Sequence, residues 1–584
     1  MQLEQSPFLS LVSDERIRRT LGLMGQPADA RLTPEIAREV CERTGSAAVL
    51  EGSIASLGSQ YVLGLGARNC RIGDLLDQEQ MQAARKEDIL NSLSQIAGRF
   101  RKRAGESLST IEKHSTPLEE ATTPSLEALK AYTTGNVTNY AKGFAAAIPH
   151  YRRATEIDPQ FAMAFGFLGL MYSNLGETDL AAASTRRAYE LRDRVTERER
   201  FFILFLYHRQ TTGNLQKGRE ALEAWAQAYP RDDLPYSFLA GWVARGSGEH
   251  EKGVEAAQKS IELAPDNPYT YDPLAEYNLY LNRFAEAGNA LQLAAQRKME
   301  NPELLVDRYH LAFVQGDQAG MEREMLLARE NPQAEDEMLQ IQAIVSARAG
   351  HMQQAEMLWQ RAIARKRQNG NLEAGALYET SAGACEANLG NAAAARRHAL
   401  AALELAKGRD VEYAAAFALA LSGDSSRAQG LADDLAKRFP EDTPVQFEYL
   451  PTLRALFALA RNEPSKAIEA LEAAKPYDFA LPGTAFAANF GGLYPAYVRG
   501  KAYLALHRGA EAAAEFQKVL DPRGIVFADP VGALVHLQLG RAFVLAGDKA
   551  RAKAAYQDFL TLWKDADPDI PILRQAKAEY AKLQ

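Results

Sequence analysis

Apolar and polar residues alternate with a helical period over most of the chain. The stretch Phe161 to Leu191, FAMAFGFLGLMYSNLGETDLAAASTRRAYEL, shows it most plainly. It sets Phe165, Leu168 and Tyr172 on one stripe, breaks at Gly176 and resumes with Ala181 and Ala188 in a second helix. The same unit returns in altered form down to the C-terminus. Aligned on the residue that closes each first helix, the series runs Lys142, Gly176, Gly213, Gly248, Asn282, Gly316, Gly350, Gly390, Gly423, Asn462, His507 and Gly547. Most of these are Gly or Asn, which tolerate the positive φ of a helix C-cap. Five residues on stand Ala147, Ala181, Gly218, Gly253, Ala287, Met321, Ala355, Ala395, Ala428, Ala467, Ala512 and Ala552, all small except Met321. A small side chain there, like Gly169 in the facing helix, lets the two helices of a unit approach closely. The register predicts about twelve helix-turn-helix units from Ser125 onward and a last helix, Ile570 to Leu583, that shields the final apolar face.

Ahead of Ser125 the period changes. Thr33, Pro34 and Glu35 supply the N-cap, N1 and early acid of a helix ending near Gly45. Ala47 to Leu57 and Tyr61 to Asn69 alternate around the turn Leu57-Gly58-Ser59-Gln60, which predicts a β-hairpin, with a shorter strand after Gly73-Asp74. Lys86 to Lys102 is helical, with Ile89, Leu93, Ile96 and Phe100 on one stripe. The expected fold is mainly α: a small α/β domain over 1–115, a Thr/Pro/Glu-rich linker over 116–124, a helical repeat array over 125–569 and a capping helix over 570–584.

Composition adds mostly exclusions. A net charge of -8 on 584 residues argues against a nucleic-acid groove, which needs clustered Lys and Arg, and the basic run Arg99 to Arg103 reads as a solvated helix end. The cysteines Cys41, Cys70 and Cys385 lack CxxC or Cys/His spacing, so they read as buried thiols and no metal is expected. No cofactor motif is present: Gly64-Leu65-Gly66 lies in a strand without the helix a dinucleotide site needs. Gly423-Asp424-Ser425 resembles an esterase word but falls on the repeat's own C-cap and N-cap positions. Neither a leader peptide nor eighteen uncharged apolar residues in a row can be read, so the chain as written is expected to be soluble and cytoplasmic, without direct membrane insertion.

The glycine, alanine and aromatic positions of the repeat resemble the tetratricopeptide repeat (TPR), which implies a superhelix of stacked helix pairs. A second resemblance covers nearly the whole chain. Leu50-Glu51-Gly52-Ser53-Ile54, Gly58-Ser59-Gln60-Tyr61-Val62-Leu63, Gly73-Asp74 and the tail Leu560 to Pro568 with Ala576 to Tyr580 look like the non-catalytic C-terminal region of bacterial eukaryotic-like serine/threonine kinases. More distantly they are similar to TolB-like or CadC-like regulators. In the kinases a catalytic domain and a membrane helix come first, and this sequence has no Gly-rich phosphate loop, HRD or DFG. The resemblance therefore implies a fragment or an internal start, no kinase activity in this chain, and an extracytoplasmic location if the chain belongs to a membrane-anchored kinase.

Two function classes follow. The first is a non-catalytic module, sensor or scaffold, that binds a protein or peptide. The second is a hydrolase in the α/β domain or under the long loop, or the effector part of a transcriptional regulator. For the first, the positions that helix A of a TPR unit turns to its concave face give Tyr207, Phe238, Trp242, Arg245, Tyr269, Asp272, Glu276 and His310. Aromatic side chains with polar tips suit a peptide groove, whereas a tightly wound superhelix would bury them against neighbouring turns. The longest insertion, Lys475 to Tyr494, adds Phe479, Phe486 and Phe490 as candidate loop contacts. The Lys and Asn set of the TPR clamp for C-terminal carboxylates is missing. Oligomeric state is not readable.

Overall fold

The computed structural model describes residues 2–583 apart from 28–29, 59, 119–121, 266, 300 and 482–492. Ser59 of the predicted hairpin turn and the middle of the linker thus fall outside the described residues.

The N-terminal part is the expected small α/β unit. Helices α1 (Asp14–Leu23) and α2 (Pro34–Arg43) precede strands β1 (Ala48–Leu57), β2 (Gln60–Asn69) and β3 (Leu75–Ala83). The strands form an antiparallel sheet in the order β1-β2-β3, with Ile54 opposite Leu63 and Leu63 opposite Met81. Thr33 caps α2 by accepting the Ile36 N–H at 3.4 Å, as its sequence predicts. Helix α3 (Ile89–Arg103) covers β2 and β3 over a core of Leu63, Ala83, Ile89 and Ile96, and the short α4 (Leu108–Lys113) follows.

Two readings of this part are corrected. Cys41 and Cys70 are not thiols: they form a disulfide with Cα atoms 5.8 Å apart, because the hairpin folds Cys70 back beside the end of α2. Cys385 alone is free and buried. Nor is the basic run wholly solvated, since Arg101 is fully buried on Glu106, with its Nη2 2.6 Å from Oε1 and its Nη1 2.8 Å from the His114 carbonyl.

From Leu126 to Leu562 the chain is the predicted series of antiparallel helix pairs. Repeats 1 and 2 are Leu126–Lys142 with Phe144–Ile157 and Ala162–Asn174 with Thr178–Glu190. In repeat 3, Glu197–Tyr207 runs into a π-helical stretch, His208–Thr212, before Leu215–Ala228. Repeat 4 has a similar stretch, Leu239–Ala244, between Leu234–Phe238 and Arg245–Ser247, and is completed by His250–Leu263. Repeats 5 to 8 pair Tyr271–Tyr280 with Phe284–Gln296, Pro302–Gln315 with Gln318–Ala328, Pro332–Arg348 with Met352–Gln368 and Leu372–Leu389 with Ala392–Leu405. Repeats 9 to 12 pair Arg409–Leu421 with Ser425–Arg438, Leu450–Ala460 with Pro464–Leu471, Leu493–Ala505 with Gly509–Leu520 and Pro530–Leu545 with Lys549–Leu562. The first helix of repeat 10 opens with a third π-helical stretch, Val445–Tyr449. Pro571–Ala581 caps the array, burying Leu573 and Ala576.

The closing residues adopt the left-handed backbone the sequence register requires. From Gly176 to Gly547 every one has positive φ, from 58° at Asn462 and His507 to 89° at Gly390. In repeat 1 the role passes from Lys142 to Gly143, at 82°. Five residues on, the alanines are buried, and a Cβ on Gly253 would lie 2.5 Å from the Tyr277 ring. The small-residue rule is thus a contact rule, and the fold is a TPR superhelix.

The superhelix winds back on itself. The Thr443 N–H donates to the Gly213 carbonyl (3.0 Å), the Leu481 N–H to Arg245 (2.9 Å), the Asn282 amide to Asp521 (2.8 Å) and the Asp567 N–H to Gly350 (3.0 Å). Turns inside repeats 3, 4, 5 and 7 therefore dock on the connections after repeats 9, 10, 11 and 12. The residues that widen the spacing before Asn462, His507 and Gly547 supply most of these connections, so the insertions join one superhelical turn to the next.

Candidate functional site

The predicted inner-face residues divide into two groups. In repeats 3 and 4 the aromatics are spent on packing. Tyr207 stacks on Tyr189 of the preceding second helix, with ring centroids 3.8 Å apart. Phe238 stacks on Phe205 at 4.4 Å, while Trp242 meets Phe205 edge-on at 5.5 Å and lies over Gly218, where a Cβ would stand 2.8 Å from its Cη2. A π-helical stretch follows Tyr207 in repeat 3, and another, in repeat 4, contains Trp242. His310 is also a packing residue: it is buried with its ring 3.7 Å from that of Phe527, and burial pushes its pKa down to about 3. Tyr207, Phe238 and Trp242 thus pack between repeats while each keeps part of its surface open, and His310 is a buried contact between turns.

The second group is charged and lines a wall built by successive first helices. Arg245 is ion-paired with Glu276, which also accepts the Tyr280 hydroxyl. One turn before Glu276, at i−4 and hence on the same face, stands the half-buried Asp272. The next first helix repeats that spacing with Glu303 and Asp307, a pair the sequence reading passed over, and the following one adds Glu337. Buried Asp307 and Asp272 are hydrogen-bonded to each other. Burial, followed by the charge of Glu276, raises Asp272 to about 8. Burial, then Asp272 and Glu276, raises Asp307 well above the carboxylate range. Burial and Glu337 raise Glu303 to about 7. These carboxyls crowd one another faster than Arg245 can compensate them.

At the rim, Tyr269 is 42 % exposed, and Phe479 at the start of the long loop is 36 % exposed. The loop's described part, Lys475 to Leu481, docks on the Gly248 turn beside Arg245. Phe486 and Phe490 lie outside the described residues. The signal that could have found Glu303 and Asp307 was available, since they repeat the i,i+4 acid spacing of Asp272 and Glu276. The concave-face positions of the repeat include Asp272 and Glu276 but not Glu303 and Asp307.

No protein-family model and no curated protein matches the chain. Among solved structures it is similar to the MamA protein, at 22 % identity and TM-score 0.21 over 30 % of this chain and 92 % of that one. It is similar to PilW, a widely conserved type IV pilus biogenesis factor, at 16 % identity and TM-score 0.27 over 35 % and 94 %. It is also similar to a chain of the APC/C hetero-tetramer Cut9-Hcn1, at 13 % identity and TM-score 0.35 over 100 % and 99 %. These likenesses add nothing to the assignment of the wall, and the TPR superhelix stands on the repeat geometry described above.

Proposed function

We propose that the chain is a non-catalytic interaction module, a scaffold or sensor whose inner wall over repeats 4 to 7 holds an extended peptide or protein segment. One observation carries this reading. Arg245, Asp272, Glu303 and Glu337 come from four successive first helices, are desolvated, and still keep part of their surface open. The three carboxyls Asp272, Glu303 and Glu337 are costly to keep desolvated, and an extended peptide crossing the wall would offer backbone N–H groups and basic side chains to them, beside the ion pair that Arg245 makes with Glu276. A nucleic acid would instead set phosphates against carboxylates, which disfavours it as the ligand.

The resemblance to the kinase C-terminal region supports reading the chain as the sensor part of a larger signalling protein, with units over 1–115, 125–569 and 570–584. The Cys41–Cys70 disulfide favours the extracytoplasmic arm of that reading over the cytoplasmic one, because disulfides persist in oxidising compartments. Among the described residues no helix is long and apolar enough to cross a membrane. Neither the hydrolase nor the regulator alternative draws on an observation of its own.

Selection from a displayed peptide library against the full chain, followed by fluorescence anisotropy, tests the proposal. Peptides with basic residues are expected to bind in the micromolar range and to lose at least tenfold on Asp272→Asn combined with Glu303→Gln, with the melting temperature kept. Binding indifferent to both substitutions would remove the inner wall from the proposal.

A further inference from the structure

The connection between repeats 11 and 12, Asp521 to Asp529 (DPRGIVFAD), lies across the turn ends of repeats 5 and 6. Asn282 closes repeat 5 with φ 59°, where most units use glycine, and its side chain grips the connection at two points. Its Nδ2 donates to the Asp521 carbonyl at 2.8 Å, and its Oδ1 accepts the Gly524 N–H at 3.2 Å. A Cβ on Gly524 would run into the Leu279 carbonyl oxygen, so the two backbones touch there. Arg523 donates to the Val314 carbonyl of repeat 6 and holds its guanidinium 5.4 Å from the centre of the Phe284 ring. Phe527 follows, with its ring 3.7 Å from that of His310 and 4.9 Å from that of Phe313.

That last contact strains the backbone. Phe527 has φ 38° and ψ -118°, and the Asp529 N–H donates to the Val526 carbonyl at 2.8 Å. These values put Phe527 at the second position of a type II′ turn, a position dominated by glycine. Among the described residues of the four connections that join the superhelical turns, no other non-glycine has positive φ. A residue with a Cβ keeps such a conformation only while its surroundings hold it, and here the ring's seat against His310 and Phe313 is the hold. The connections at Thr443 and Asp567 dock through backbone hydrogen bonds without a residue of this kind. Ile525 ties the strained connection to the inner wall: it packs against the cluster of Tyr277 and Tyr280, and the Tyr280 hydroxyl donates to Glu276.

We propose that Asp521 to Asp529 is a latch with two positions. Docked, it closes repeats 11 and 12 onto repeats 5 and 6 and fixes Glu276 through Tyr280. Released, it frees Phe527 from its strained backbone and lets the superhelix open at this junction before the junctions at Thr443 and Asp567. The latch works whether or not the wall holds a peptide, and so goes beyond the interaction reading.

Hydrogen exchange and small-angle X-ray scattering of the full chain, both without ligand, test it. Exchange in Asp521 to Asp529 is expected to be at least tenfold faster than at the Thr443 and Asp567 amides. Asn282→Gly keeps the left-handed turn and removes both hydrogen bonds of the grip. It should speed exchange in the segment at least tenfold again and enlarge the radius of gyration, with the helical circular dichroism unchanged. Arg523→Gln is the second variant and should act in the same direction. Strain is read at one position: Phe527→Ala and Phe527→Gly both delete the ring, but only glycine relaxes the backbone, so Phe527→Gly should melt higher. Equal melting temperatures, or a lower one for glycine, would remove the strain and with it the latch. Exchange in the segment as slow as at Thr443 and Asp567, or helices that all exchange together with the segment in Asn282→Gly, would show a fixed core contact and overturn the latch. Those outcomes leave the wall to the peptide selection, which none of these measurements uses.

Discussion

Repeats 3 to 6 and repeats 7 to 12 share one register and differ in what their first helices face. In the C-terminal half the inner positions Tyr378, Tyr413, Phe417, Tyr449, Tyr494 and Tyr497 are buried in one continuous apolar cluster running from Leu339 to Ala576. There the first helices of repeats 7 and 12 touch directly, and the Arg348 guanidinium donates to the Asp529 carbonyl at 3.0 Å. Repeat 3 joins a large cluster that runs from Ala128 to Val243, the further clusters of repeats 4 to 6 are small and separate, and the inner positions there carry Arg245, Asp272 and Glu303. Tight winding thus consumes an aromatic inner face as core and leaves a charged one as wall. An aromatic at a concave TPR position is a ligand contact only where the superhelix is open enough to spare it.

The division predicts unequal tryptophans, and this is the largest effect. Trp563 is buried, and its indole N–H donates to the Arg348 carbonyl at 2.9 Å, joining the end of repeat 12 to repeat 7. Trp563→Ala should cost about 3 to 5 kcal/mol in denaturant unfolding. Trp242→Ala, at a half-buried site in repeat 4, should cost less than half of that. Equal losses would erase the distinction.

Next come the turns. Gly213 and Gly316 both have positive φ, 63° and 73°, so alanine costs each roughly 1 kcal/mol from the backbone. At Gly316 nothing lies within 4 Å of the new Cβ, whereas at Gly213 it would lie 2.9 Å from the Cβ of Asp442, which Arg409 and the Val445 N–H hold in place. Gly213→Ala should therefore cost about 2 to 3 kcal/mol. A Gly213→Ala protein no less stable than Gly316→Ala would show that docking between turns contributes little.

The smallest effect is the response to pH. Where repeat 2 meets repeats 8 and 9, burial raises Glu373 and Glu412 to about 7, the latter against the attraction of Arg438, with Glu177, Asp179 and Asp434 nearby. Their folded pKa values lie above the ordinary carboxylate value, so their contribution is fully present below about pH 4.5 and is lost as pH rises through about 7. The melting temperature should fall between pH 5 and 8, and less steeply in Glu373→Gln. An unchanged slope would take Glu373 out of the account.

Most of the architecture was legible because it rests on local rules. Gly176 and its counterparts announce a left-handed turn, and Ala355 and its counterparts a close helix contact, whatever lies farther away. What escaped the sequence depends on distant neighbours. Cys41 meets Cys70 only after the hairpin folds, and Trp242 packs on Phe205 and Gly218 of the preceding repeat, which the spacing within its own unit does not display. His310 becomes core only because the connection after repeat 11 brings Phe527 against it.

Hydrogen exchange of the full chain, measured with and without a peptide selected for binding, tests the central claim most directly. Binding to the wall predicts slower exchange in Leu234–Phe238, Arg245–Ser247, Tyr271–Tyr280 and Pro302–Gln315, with Arg409–Leu421 and Leu450–Ala460 unchanged. Protection confined to the outer second helices, or spread over repeats 9 to 12, would contradict it.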